Sequence, residues 1–111
     1  MDANNLVVLR GTLTSAPRRR DLPSGGFVTQ LEVTTRSEHR TASVPVVVHD
    51  RPIELSAGDD VVVTGHVHRR FFRAGGATQS RTEVVADSVL RSTRIRSIER
   101  ALVAVARAVA P

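Results

Sequence analysis

The feature that most constrains this chain is a rhythm of short β-branched runs broken by turns, with no helical segment between them. "NLVVLRGTLT" (5–14) reads as a first strand, and Gly11 within it marks a bulge or bend. "SAPRRRDLPSGG" (15–26) holds two prolines and two glycines and reads as a loop. "FVTQLEVTTR" (27–36) alternates, with Phe27, Thr29, Leu31 and Val33 on one face and Val28, Gln30, Glu32 and Thr34 on the other. After the polar turn "SEHRT", "ASVPVVV" (42–48) is a third strand. Pro45 pushes it toward an edge or a bulge, because proline cannot donate to a ladder. "HDRPIELSAGD" (49–59) is a connection with room for one helical turn. "DVVVTGHVHRRFF" (60–72) is a fourth strand bent at Gly65, "RAGGATQS" (73–80) a loop and "RTEVVADSVL" (81–90) a fifth strand. Five such strands predict an all-β antiparallel barrel or sandwich, not a parallel sheet.

The last segment changes period. In "STRIRSIERALVAVARAVAP" (92–111), Ile95, Ile98, Leu102, Val105 and Val109 recur at steps of three and four and form one apolar stripe on a helix. Ser92 or Thr93 is placed to cap it, and Pro111 follows its end. The stripe spans about two heptads, short for an isolated coiled coil. It must cover its own barrel or meet a second copy. The expected organisation is a β domain over 1–91 and a terminal amphipathic α-helix over 92–111.

Composition narrows the chemistry. A chain of 111 residues is one domain on size, and 41% hydrophobic residues suffice for a core. There are no cysteines, which excludes disulfides and thiolate metal sites and fits a reducing cytoplasm. No apolar run is long enough to span a membrane, and no secretory signal pattern opens the sequence. All 16 basic residues are arginine, each able to grip phosphate with two bonds or to stack on a base. The net charge is +5. The acids concentrate at 50–60, where Arg51 stands against Asp50, Glu54, Asp59 and Asp60, so the flanking segments are basic. A polyanion is the partner this distribution suits.

The three aromatic residues are all phenylalanine, and two of them stand together in "VHRRFFRAGG" (67–76). Arginines crowd around that pair. Such a grouping suits a surface that stacks flat ligands and holds anions. Neighbours on a strand point to opposite faces, so one of Phe71 and Phe72 is expected to stack while the other turns away.

Several stretches resemble bacterial single-stranded DNA-binding proteins, in order and over roughly residues 4–90: "NLVVLRGTLTSAP", "PSGG", "AGDDVVVTGHV" and "TEVVADSVL". A sister family, primosomal replication protein N, is similar in "PVVV", in the short connection 50–58 and in the absence of a long tail. Both resemblances imply an oligonucleotide-binding (OB) fold, a five-stranded barrel. They imply single-stranded DNA as partner, roles in replication, repair or recombination, and a homo-oligomer, dimer or tetramer. By this resemblance Phe72 stands where the family has its fourth-strand tryptophan. The third-strand aromatics have no counterpart in "ASVPVVVH", and a basic helix replaces the family's acidic tail, so recruitment of repair proteins by such a tail is not expected.

The residues expected to touch nucleic acid are Phe72 with Phe71, the phosphate-binding Arg69, Arg70 and Arg73, the run Arg18, Arg19 and Arg20, then Phe27, Arg10, Arg36 and Arg40. With few aromatics, binding should be weak and salt-sensitive. Ile95, Ile98, Leu102, Val105 and Val109 are the expected oligomer contact. His66 and His68 share a strand face, but no further ligand is spaced to complete a metal site. No nucleophile–base arrangement or phosphate loop is present, so no enzyme, metal or cofactor is expected. The alternatives are a primosome-type accessory to replication restart, and an OB-fold protein-interaction module that has lost DNA binding.

Overall fold

The computed structural model describes residues 4–110. Six strands and one helix follow in the order β1 (Val7–Leu13), β2 (Arg18–Asp21), β3 (Phe27–Ser37), β4 (Arg40–His49), β5 (Asp60–Ala74), β6 (Ala77–Arg91) and α1 (Ile95–Val109). The sheet order is β1-β5-β6-β4-β3-β2, and β1 also pairs with β3, which closes five strands into a barrel. β2 lies outside that ring, laid against the first half of β3.

Several expectations need correction. Arg18, Arg19 and Arg20 are not in a loop but form β2, because their backbone finds partners in Gln30, Thr29 and Val28 of β3. The stretch 73–80 is not a loop either. Gly75 and Gly76, at φ 59° and 79°, make a two-residue turn, and the strands on either side run on for 15 residues each. Positive φ at both central residues is what a tight hairpin turn requires. Third, the barrel is not wholly antiparallel. β4 and β6 meet in parallel at Val46↔Val84 and Val47↔Val85. Pro45 sits just before that junction, on the part of β4 paired only with β3, where a missing donor is tolerated. The connection 49–59 contains no helical turn.

Valine dominates the interior. Leu13, Leu31, Val33, Val46, Val48, Val61, Val63, Val84 and Ala86 form one buried cluster. They alternate along their strands with outward residues, as one sheet face curled on itself demands. Two glycines permit the closure. A Cβ on Gly11 would run into the Thr34 carbonyl, where β1 passes from β5 to β3, and a Cβ on Gly65 would run into the Val85 carbonyl. At Gly65 the β5–β6 register shifts, leaving Asp87 as the extra residue of a bulge.

Two parts project from this barrel. Beyond Val67 and Val84, β5 and β6 pair only with each other. The Asn5 side chain fixes the base of that hairpin, donating to the Val67 carbonyl at 2.7 Å and accepting from its N–H at 2.9 Å. The helix is the other part. It meets the barrel through β5 and β6, yet none of its residues is buried. Ile98 and Val105 are half-buried, while Ile95, Leu102 and Val109 are exposed. Neither Ser92 nor Thr93 caps it. Arg94 holds the cap position without a side-chain capping bond to the helix backbone. Pro111 lies outside the described residues. The radius of gyration, 15.0 Å, exceeds the ~13 Å of a compact domain of this length, as two projections require.

Candidate nucleic-acid interface

The outer surface of β3 and β4 carries the candidate site. Gln30 and Val47 are cross-strand partners at its centre and line two clefts. One, of about 130 Å³, is lined by Ser15, Arg18, Gln30, Glu32, Pro45, Val47 and Arg81 among others. The other, of about 190 Å³, is lined by Arg20, Leu22, Val28, Gln30, Val47, His49, Arg70 and Glu83. Each cleft is thus bordered by one arginine from β2 and one from the β5–β6 hairpin. Alternation explains the selection from β2. Arg18 and Arg20 share a face, and Arg19 turns away.

The same alternation divides the hairpin. The two-residue turn sets Arg70 opposite Arg81 and Phe72 opposite Gln79. These side chains share a face with Glu83 and continue the cleft surface. Phe72 is half-buried, with the Arg70 guanidinium 5.1 Å from its ring centroid. Like charges directly opposite repel, so Arg70 and Arg81 need a counter-ion. Glu83, 5% exposed, supplies it, accepting from Arg70 Nε at 3.0 Å with Arg81 Nε at 3.9 Å. Breaking such a half-buried pair costs more than breaking a solvent-exposed one.

Phe71, Arg69 and Arg73 lie on the opposite face. Phe71 is 65% exposed, with Arg69 5.2 Å from its ring centroid. Arg69 donates to Ser80 Oγ at 3.0 Å and Arg73 to the Gly76 carbonyl at 3.0 Å. Phe27, half-buried, carries Arg19 at 3.9 Å over its ring, and Asp50 Oδ1 accepts from its N–H at 3.0 Å. Every phenylalanine therefore has an arginine stacked on it, a cation–π arrangement that also pre-positions the guanidinium.

The remaining arginines fall elsewhere. Arg10 pairs with Asp60 at 3.2 Å and, with Arg36, borders a separate hollow beside Gly11 and Thr34. Arg40 begins β4 beyond both clefts. The structure therefore brings Arg18, Arg20, Arg70 and Phe72 to one surface and leaves Arg10, Arg36 and Arg40 off it.

Sequence reasoning missed Arg81, Gln30, Val47, His49 and Glu83. The glycine pair held the signal for Arg81 and Glu83. Read as a tight turn, it pairs residue by residue outward and places Arg81 against Arg70 and Glu83 against His68. No group of three or more histidine, aspartate or glutamate side chains among the described residues is arranged to hold a metal.

Known proteins bear on this geometry. The model of the Single-strand binding protein family matches residues 4–92. No curated protein sequence matches the chain. Among solved structures, the fold is similar to that of a Plasmodium falciparum SSB in complex with ssDNA, with a TM-score of 0.69 and 20% identity over 82% of this chain and 97% of that one.

Proposed function

Because this chain belongs to the single-strand binding protein family, we propose that it binds single-stranded DNA across the outer face of β3 and β4. The observation that carries this reading is the pair of clefts that share Gln30 and Val47, each bordered by an arginine from β2 and one from the hairpin. Arginine on both sides of a groove tracks a phosphate backbone, while the clefts and Phe72 receive bases. Strand contacts of this kind depend mainly on the backbone, which suits a protein that coats single strands in replication, repair or recombination. No covalent chemistry is required, and the protein acts by binding alone.

The protein works as an assembly of copies, a dimer or tetramer, in the cytoplasm. The exposed apolar residues Ile95, Leu102 and Val109 of α1 support association, since a helix of this length is marginal in water unless its apolar face is covered. Linked barrels would also multiply contacts along one strand.

Titration of a fluorescent oligo-dT at low and moderate salt tests the reading. Binding that is tight at low salt and weakens steeply with added salt is expected. No binding at low salt overturns it. Sedimentation of the wild type beside Leu102→Glu tests the assembly, which should dissociate in the variant.

A further inference from the structure

The helix has a face that neither the barrel nor its own apolar stripe uses. Arg96, Arg100, Val103 and Arg107 are all exposed. At 3.6 residues per turn these four side chains fall within about 60° of one another, roughly 150° from the apolar stripe. An open groove of about 580 Å³ runs along them, with Glu99 and Ala104 completing its lining.

The charge on this face is poorly compensated. Glu99 is the one acid of α1. None of the three arginines has a carboxylate partner among the described residues, whereas Arg10, Arg19, Arg70, Arg81 and Arg91 each face one. Arg100 donates to Ser97 Oγ at 3.2 Å. Like charges four residues apart, as at Arg96 and Arg100, destabilise a helix. The first turn of α1 holds no acidic residue to offset them. An anion laid along the stripe relieves that repulsion.

The form of the stripe selects among anions. The arginines span roughly 17 Å of the axis at 1.5 Å per residue, more than one small ion covers. Arginine grips phosphate through two bonds, so successive phosphates of one strand suit the row. An acidic lipid surface suits it less. A membrane-bound helix buries its apolar face, and here Ile98 and Val105 of that face are half-buried where α1 meets β5 and β6. Association of copies through Ile95, Leu102 and Val109 would leave the arginines facing outward.

We propose that the arginine stripe of α1 is a second nucleic-acid contact, holding the phosphates of a single strand too long for the β3–β4 face alone. This rests on the reading of that face as a single-strand interface and extends it.

The test uses the full chain and two fluorescent oligo-dT strands, one of about six nucleotides, enough for one barrel, and one of about thirty. In Arg96→Gln/Arg100→Gln/Arg107→Gln the glutamines keep helix propensity. For the long strand, the slope of log affinity against log salt should drop by about 2, from three lost phosphate contacts. The short strand should bind variant and wild type alike. Arg40→Gln/Arg69→Gln/Arg73→Gln removes the same charge elsewhere and should leave the long-strand slope nearly unchanged. The corresponding triple lysine variant of α1 should keep the wild-type slope. An unchanged slope in the glutamine variant of α1 overturns the proposal and leaves the stripe to an acidic protein surface. An equal drop in the charge-matched control also overturns it, since net charge would then account for the effect. Failure of the short strand to bind the wild type is a different result and removes the β3–β4 interface itself.

Discussion

The two faces of the β5–β6 hairpin have nearly the same composition and different surroundings. One presents Arg70, Phe72 and Arg81, the other Arg69, Phe71 and Arg73, and each pairs an arginine with a phenylalanine at 5.1 or 5.2 Å. Only the first continues into a surface. Its arginines border clefts whose far walls belong to β2, β3 and β4, and a buried carboxylate sets their positions. The second face is a stacked pair on an open ribbon. Residue type alone does not make a cleft. Arg70 is held by Phe72 and Glu83 at the border of a cleft, whereas Arg69 is held by Phe71 and a serine hydroxyl on the opposite face. A pre-positioned cation loses less side-chain entropy on binding.

The largest effect is expected from Arg70→Ala/Arg81→Ala, which removes one arginine from each cleft. Oligo-dT affinity at low salt should fall by roughly two orders of magnitude, and the slope of log affinity against log salt should drop by about 1.4 for two phosphate contacts on a single strand. The matched pair Arg69→Ala/Arg73→Ala should leave that slope nearly unchanged. An equal drop in both would show that the two faces bind alike and would end the distinction.

Phe72→Ala comes next. A stacked base contributes roughly 1–3 kcal/mol, so affinity should fall about tenfold with the salt slope preserved. Phe71→Ala should change affinity by about twofold or less, the scale of an exposed residue outside the contact. Fluorescence anisotropy of both variants under one buffer decides it, and a larger loss at Phe71 would reverse the assignment of faces.

Smaller still is Asn5→Ala, which removes the clasp at the hairpin base. Loss of the two bonds should lower stability by about 1–2 kcal/mol in urea unfolding and raise hydrogen exchange at Val67 before the barrel core. The smallest effect belongs to Arg10→Ala. Its partner Asp60 is a surface contact, 72% and 42% exposed on the two sides. Stability should shift by about 0–1 kcal/mol and DNA affinity by less than twofold.

Much of this was legible in the sequence, and the exceptions are instructive. The five barrel strands follow from β-branched runs and their alternation, and the C-terminal helix follows from the spacing of Ile95, Ile98, Leu102, Val105 and Val109. The similarity to the single-strand binding family was readable in ordered fragments. β2 was not readable. Three arginines between prolines carry no strand propensity, and they are extended only because β3 offers them a ladder. The parallel contact of β4 with β6 was hidden for a related reason. It joins Val46–Val47 to Val84–Val85, far apart in the chain, and no local pattern encodes such a pairing.

Local pattern is enough to say which residues can be inside. Period-two alternation assigns Leu31, Val33, Val46, Val48, Val61 and Val63 to one face, and burying apolar surface drives that face inward. Composition also makes every available cation an arginine and keeps the aromatics few. Which arginines come to lie together is set by the folded barrel. Arg18, Arg20, Arg70 and Arg81 come from strands that touch only when the barrel closes and the hairpin folds across it. Alternation says that a side chain points outward, and it takes closure of the sheet to say what it points beside.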